Sequence, residues 1–164
     1  VSSIMTTASA PRGTMPPVDI YWYDNGNKPK RPEGIPADQE LGDGENGSLF
    51  IGDQGFLTAG EYGGLPRLLP DERMKDYKKP DPTLPRVEGS SHYRNWTDAC
   101  KGGAPACSNF NYAGPFAEMV LMGTIAIRVG KKIDYDAKAM KITNDAAANA
   151  LISKEYRKGW ELPV

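Results

Sequence analysis

Apolar and polar positions first alternate over Val18–Tyr23 (V-D-I-Y-W-Y), just ahead of Asp24-Asn25-Gly26, which predicts a strand that ends in a turn. Pro29, Pro32 and Pro36 interrupt any period over Lys28–Asp43, so that stretch reads as an extended surface loop. Two short apolar runs, Ser48–Ile51 and Phe56–Ala59, flank Gly52-Asp53-Gln54-Gly55. They predict a β-hairpin, because glycine supplies the positive φ that tight hairpin loops need. Leu65–Leu69 predicts a further short strand, and Asp71–Tyr77 predicts one or two helical turns capped by Asp71 after Pro70.

Beyond the proline-punctuated Lys78–Gly89, the period changes to that of a helix. Ser90–Cys100 predicts a helix with Ser90 or Ser91 as N-cap and Gly102-Gly103 as its stop; its apolar side would hold Tyr93, Trp96, Ala99 and Cys100. Pro115–Val129 predicts the strongest helix, opened by Gly114-Pro115, closed by Gly130, with Lys131 and Lys132 at the negative end of its dipole. Its apolar residues surround it on nearly all sides, which predicts burial against a sheet. Ile133–Asp136 predicts a short strand, and Asn144 or Asp145 caps a last helix expected over Ala146–Arg157. That order of elements predicts an α+β fold: an open, mainly antiparallel sheet covered on one face by helices, with long Pro/Gly-rich loops. One domain is expected over residues 1–164, with residues 1–14 a poorly ordered or edge segment.

Composition narrows the function. Of 164 residues, 39% are hydrophobic and 25% charged, enough to build a core, and the formal net charge of −1 gives no basic face for nucleic acid. No apolar run reaches the roughly 18–20 residues of a membrane span, so no membrane partner is expected. Val1–Ala10 has neither the charged nor the apolar region of a signal peptide, and a chain beginning at Val1 reads as an expressed piece or a processed fragment. Cys100 and Cys107 are the only cysteines; both are expected to be reduced, and their spacing is not that of a structural zinc site. The compartment stays open.

Candidate chemistry is sparse. Gly42-Asp43-Gly44-Glu45-Asn46-Gly47 has G-x-G-x-x-G spacing, but its two acids repel a pyrophosphate and a hairpin strand follows it instead of a helix, so it reads as a loop. His92 is the only histidine; it is either a substrate-facing proton donor or hydrogen-bonding group, or a solvated residue of a helix's first turn. Nothing beside Cys100 or Cys107 marks either thiol as an activated nucleophile. Gly60-Glu61-Tyr62-Gly63-Gly64 reads either as a pocket lip whose glycines let backbone approach a ligand, or as a wide connection between strands. Tyr21, Trp22 and Tyr23 read as packing on a sheet face before they read as a sugar-stacking platform.

Taken together, Met15–Asp24 (M-P-P-V-D-I-Y-W-Y-D), Leu49–Gly55 (L-F-I-G-D-Q-G), Gly60–Gly64 (G-E-Y-G-G), Arg67–Pro70 with Arg73–Lys78, and Trp96–Tyr112 (W-T-D-A-C-K-G-G-A-P-A-C-S-N-F-N-Y) carry a resemblance. The chain resembles the C-terminal domain of Gfo/Idh/MocA oxidoreductases, in the bacterial subgroup where that domain is long. The resemblance implies an open, mainly antiparallel sheet that follows a Rossmann domain, covers the substrate and often builds the subunit interface. It implies a parent that uses NAD or NADP on a sugar or cyclitol hydroxyl, or in a redox-assisted glycosidase cycle. The family's Gly-rich loop, its Lys-bearing E-K-P motif and its downstream Asp and His catalytic positions have no counterpart here and should lie upstream of Val1. No catalytic, cofactor-binding or metal-binding residue is therefore assigned.

Glu61, Tyr62, His92, Tyr93 and Trp96 are expected to contribute to the substrate-side surface. The expected partners are the Rossmann domain and further copies of the chain, joined through the sheet. An alternative of a different class is a stand-alone carbohydrate-binding or interaction module without catalysis, and a third is a thiol- or His-based hydrolase. The compartment, cytoplasmic or periplasmic, is not set by this resemblance.

Overall fold

The structure, a computed structural model, describes residues 4–8 and 13–162. The expectation for residues 1–14 falls partly outside the described residues; within them, Ile4–Ala8 form β1. Contacts divide the chain into two compact units: Lys28–Thr83, and Val1–Asn27 together with Leu84–Val164.

In the unit Lys28–Thr83, β3 (Ser48–Gly52), β4 (Gly55–Ala59) and β5 (Arg67–Leu69) form an antiparallel sheet in that order. Gly52 pairs with Gly55, so the predicted hairpin closes on the two residues Asp53 and Gln54. Gly55 has φ +135, and the Arg73 guanidinium lies where a Cβ would go while its Nη1 donates to the Gln54 carbonyl (2.8 Å). Only glycine fits there. Leu69, Thr58, Ala59 and Ile35 are buried. The expected turn after Pro70 is a 3-10 helix, Asp71–Met74, but Asp71 does not cap it: Pro70 holds the N-cap position, and the Asp71 carboxylate pairs with Arg67 Nε (3.5 Å) instead. Residues 28–47 contain no helix or strand, as their prolines require. They are nonetheless held: Arg31 donates to the carbonyls of Pro36 (3.0 Å) and Gln39 (2.8 Å).

The other unit holds β2 (Asp19–Tyr23), which pairs antiparallel with β1, and the hairpin of β6 (Tyr135–Asp136) with β7 (Lys141–Ile142). Its helices are α1 (His92–Cys100), α2 (Phe110–Val129) and α3 (Ala146–Asn149). Ser91 caps α1 by accepting from the Arg94 amide (3.3 Å). The apolar side expected on α1 is corrected: Tyr93 and Cys100 are exposed, no residue of the helix is buried, and Asn95 and Ala99 sit half-buried. Cys100 and Cys107 are both free thiols.

Three further helix expectations are corrected. α2 begins at Phe110, capped by Asn109 accepting from the Asn111 amide (3.0 Å), and runs through Pro115. A proline this close to the start forfeits a single helical hydrogen bond, so it does not have to open the helix. α2 is also not enclosed: only Gly123 and Ile125 are buried, while Phe110, Tyr112, Phe116 and Leu121 are exposed. Its C-terminal half packs instead on a small core of Ile125, Ile142 and Ala148, flanked by Met122, Val129, Ile133, Tyr135 and Ile152. Gly130 ends it at φ +69, as expected. α3 stops at Asn149, well short of Arg157, where the Asn149 side chain accepts from the Ile142 amide (2.9 Å) and ties the helix to β7. Helix propensity in the Ala-rich run is a weak prior against such ties. Asp145 caps α3 through the Ala148 amide (2.9 Å) and pairs with Lys131; the Lys131 ammonium, then the Ala148 N–H, holds its carboxyl below the usual aspartate range.

Small antiparallel sheets and helices make this an α+β fold, as predicted, with the described strands distributed over three sheets. Among the described residues, no helix is long and apolar enough to cross a membrane.

Candidate functional site

The Gly60–Gly64 segment leaves β4 and closes on itself. The Gly60 amide donates to the Gly64 carbonyl (2.8 Å), and the Gly63 amide donates to the Gly60 carbonyl (2.9 Å). Gly63 takes φ +70, and Leu65 takes φ +48, a conformation a bulky side chain rarely adopts. At the tip Glu61 is exposed and Tyr62 is 94% exposed. The segment connects β4 to β5 through a tight closed tip that presents a carboxylate and a phenol to solvent.

The tip is tied down by a residue the sequence reading placed in a plain loop. Asp43 Oδ2 accepts from the Glu61 amide (3.0 Å) and Oδ1 accepts from the Asn46 amide (2.9 Å). These two amides, Glu61 first, hold the Asp43 carboxyl below the usual aspartate range. The loop bearing Asp43 is itself built onto the sheet. The buried Thr58 hydroxyl accepts from the Gly42 amide (2.7 Å) and donates to the Ser48 carbonyl (3.0 Å). The Arg67 guanidinium donates to the carbonyls of Gly42 (3.2 Å) and Glu40 (2.6 Å). Apart from the Asn46–Asp43 turn bond, no pattern in the sequence announces these links, since each spans 10 to 27 positions.

The same hydrogen bonds bear on a dinucleotide. Residues 42–47 have the spacing for a pyrophosphate, but the amides that would cradle it are engaged: Gly42 on Thr58, Asp43 on the Asn46 carbonyl, Gly44 on the Leu41 carbonyl, and Asn46 on Asp43. An ionised Asp43 stands among them and β3, not a helix N-terminus, follows. This loop does not fit a dinucleotide. Among the described residues, no group of three or more His, Cys, Asp or Glu is placed to hold a metal ion.

His92, Tyr93 and Trp96 lie in the other unit, on α1. The spacings i, i+3 and i, i+4 bring Tyr93 and His92 each beside Trp96 on one exposed side of the helix. The Trp96 ring meets Phe110 edge-to-face, with centroids 5.6 Å apart and planes at 88°. The Asn95 side chain accepts from the Cys107 amide (2.8 Å) and fixes the connection into α2. The structure therefore brings the five expected residues together as a pair, Glu61 with Tyr62, and a trio on α1. Tyr21 and Trp22 are exposed at successive positions of β2, which point to opposite faces, so they do not form one stacking platform. Two shallow depressions in Lys28–Thr83, one beside Phe56 and Arg73 and one beside Arg31 and Ile51, include none of the five.

Comparison with known families finds a match over residues 61–162, more than half of the chain, to a family described as oxidoreductase, C-terminal alpha/beta domain. The match starts at Glu61, in the tip itself, and takes in Arg67–Pro70, Arg73–Lys78 and Trp96–Tyr112; Met15–Asp24 and Leu49–Gly55 lie ahead of it. No curated protein matches the chain.

Proposed function

Because the chain belongs to the Gfo/Idh/MocA oxidoreductase family, through that family's C-terminal domain, we propose that it is the substrate-side and oligomerisation domain of an NAD(P)-dependent enzyme acting on a sugar or cyclitol. The observation that carries this reading is the family match over residues 61–162, which takes in both Glu61 and Tyr62 at the exposed tip and the trio on α1. A carboxylate beside an accessible ring suits a polyhydroxylated ligand: the ring face covers C–H groups while the carboxylate accepts hydroxyl hydrogens. His92, Tyr93 and Trp96 supply a second group of the same kind, an aromatic pair with a histidine able to donate or accept a proton. In this reading the chain binds and orients the substrate, and hydride transfer to or from the nicotinamide belongs to a Rossmann domain.

The test is calorimetric titration of NAD+, NADH, NADP+ and NADPH into the purified chain. No binding at micromolar cofactor is expected, because the amides of Gly42, Asp43, Gly44 and Asn46 are already engaged. Micromolar affinity for any of the four would overturn the assignment of the cofactor to another domain.

A further inference from the structure

The tip's own hydrogen bonds close its neck but do not fix where it points: Gly60–Gly64 and Gly63–Gly60 are both internal to the loop. What reaches in from elsewhere is the Asp43 carboxylate, from 18 positions away, which accepts from the Glu61 amide. Both of its oxygens are used, one on each loop, so the side chain is a two-point bracket whose base is fastened to the sheet by Thr58 and Arg67.

We propose that Asp43 is a positioning residue that sets the presentation of Glu61 and Tyr62 to the ligand. This rests on the reading of that tip as the substrate-side element. The residue type follows from the task. Only a short carboxylate offers two acceptors to two amides at once; asparagine of the same shape offers one acceptor and turns an NH2 group toward the other amide, and glutamate is one methylene too long. Other charged groups sit around the bracket: Lys28 on the Gly44 carbonyl, the Glu40 carboxylate beside Gly44, Arg67 on the Gly42 carbonyl, and Glu45 and Glu61 on the two loops.

The proposal is tested on the whole 164-residue chain, labelled with 15N. In the wild type, the amide-proton shifts of Glu61 and Asn46 should follow one common titration as pH is lowered, since both amides donate to one carboxylate. In Asp43→Asn the change shared by the two amide protons should be lost, and fast backbone motion should rise at residues 61–63 while the β4 amides of Phe56–Thr58 stay unchanged. That local loss separates positioning from general destabilisation. Independent titrations of Glu61 and Asn46 in the wild type would overturn the proposal without any variant, and so would unaltered order at 61–63 in Asp43→Asn. No ligand enters these readouts, so a failure of the sugar or cyclitol reading leaves them unmoved. In the intact enzyme Asp43→Asn should raise KM several-fold with kcat held, the mark of lost uniform binding; lost kcat at unchanged KM would contradict it.

Discussion

A single buried hydroxyl shows how the candidate site is held. Thr58 has no exposed surface, yet its oxygen takes the Gly42 amide and gives its proton to the Ser48 carbonyl. Thr58→Val keeps the shape and strands both backbone partners, so denaturant unfolding should show a loss of about 1–3 kcal/mol, with Thr58→Ser recovering most of it. A loss too small to measure would mean that water or a shifted loop replaces those bonds. Residues of this kind are not legible in a sequence, because a threonine in a strand announces β propensity and not a partner sixteen positions away. Asp43 is the same case. Its charge was enough to read residues 42–47 as no phosphate loop, whereas its bond to Glu61 exists only once the chain has folded back. The caps Ser91, Asp145 and Gly130 were legible, since each acts within a turn of its own position, whereas Asp71 caps nothing and Asn109 was missed.

At the scale of elements, the same distinction between local and distant causes holds. The β3–β4 hairpin, the start of α1 and the end of α2 fall where turn and cap residues put them. β1 and β7 were not predicted, being short strands defined mainly by the strand opposite. The instructive case is α2. Apolar residues all round a helix predict a cover, but Ile142 and Ala148 cover only its C-terminal half, leaving Phe110, Tyr112, Phe116 and Leu121 in solvent. Glu118 is the sole Asp, Glu, Lys or Arg between Phe110 and Ile127, and it is occupied by the Tyr135 hydroxyl (2.6 Å), whose pKa burial and that carboxylate push up to about 12. These exposed side chains lie on both sides of α2 and are nearly free of charge, so they carry no like-charge repulsion against another copy. Sedimentation should therefore give a mass that rises with concentration, and Phe116→Glu, at a side chain already 58% exposed, should restore the monomer with helix content intact. A wild-type monomer throughout the range would contradict self-association through α2.

At the scale of the whole molecule, the fold class was legible. The order of strands and helices gave α+β, and the structure agrees. The division at Lys28 and Thr83 falls in the two proline-rich stretches, which as sequence read only as loops. Their role as boundaries depends on contacts that β3, β4 and β5 make among themselves, and these are not periodic in sequence. Family membership speaks to the central claim, that this chain handles substrate while a cofactor domain works elsewhere. The most direct measurement is the sequence of the source gene upstream of Val1. The claim predicts an in-frame strand, G-x-G-x-x-G and helix, followed by an E-K-P-type lysine. A start codon or a signal peptide directly ahead of Val1 would contradict it, and a stand-alone binding module would then be the reading that stands.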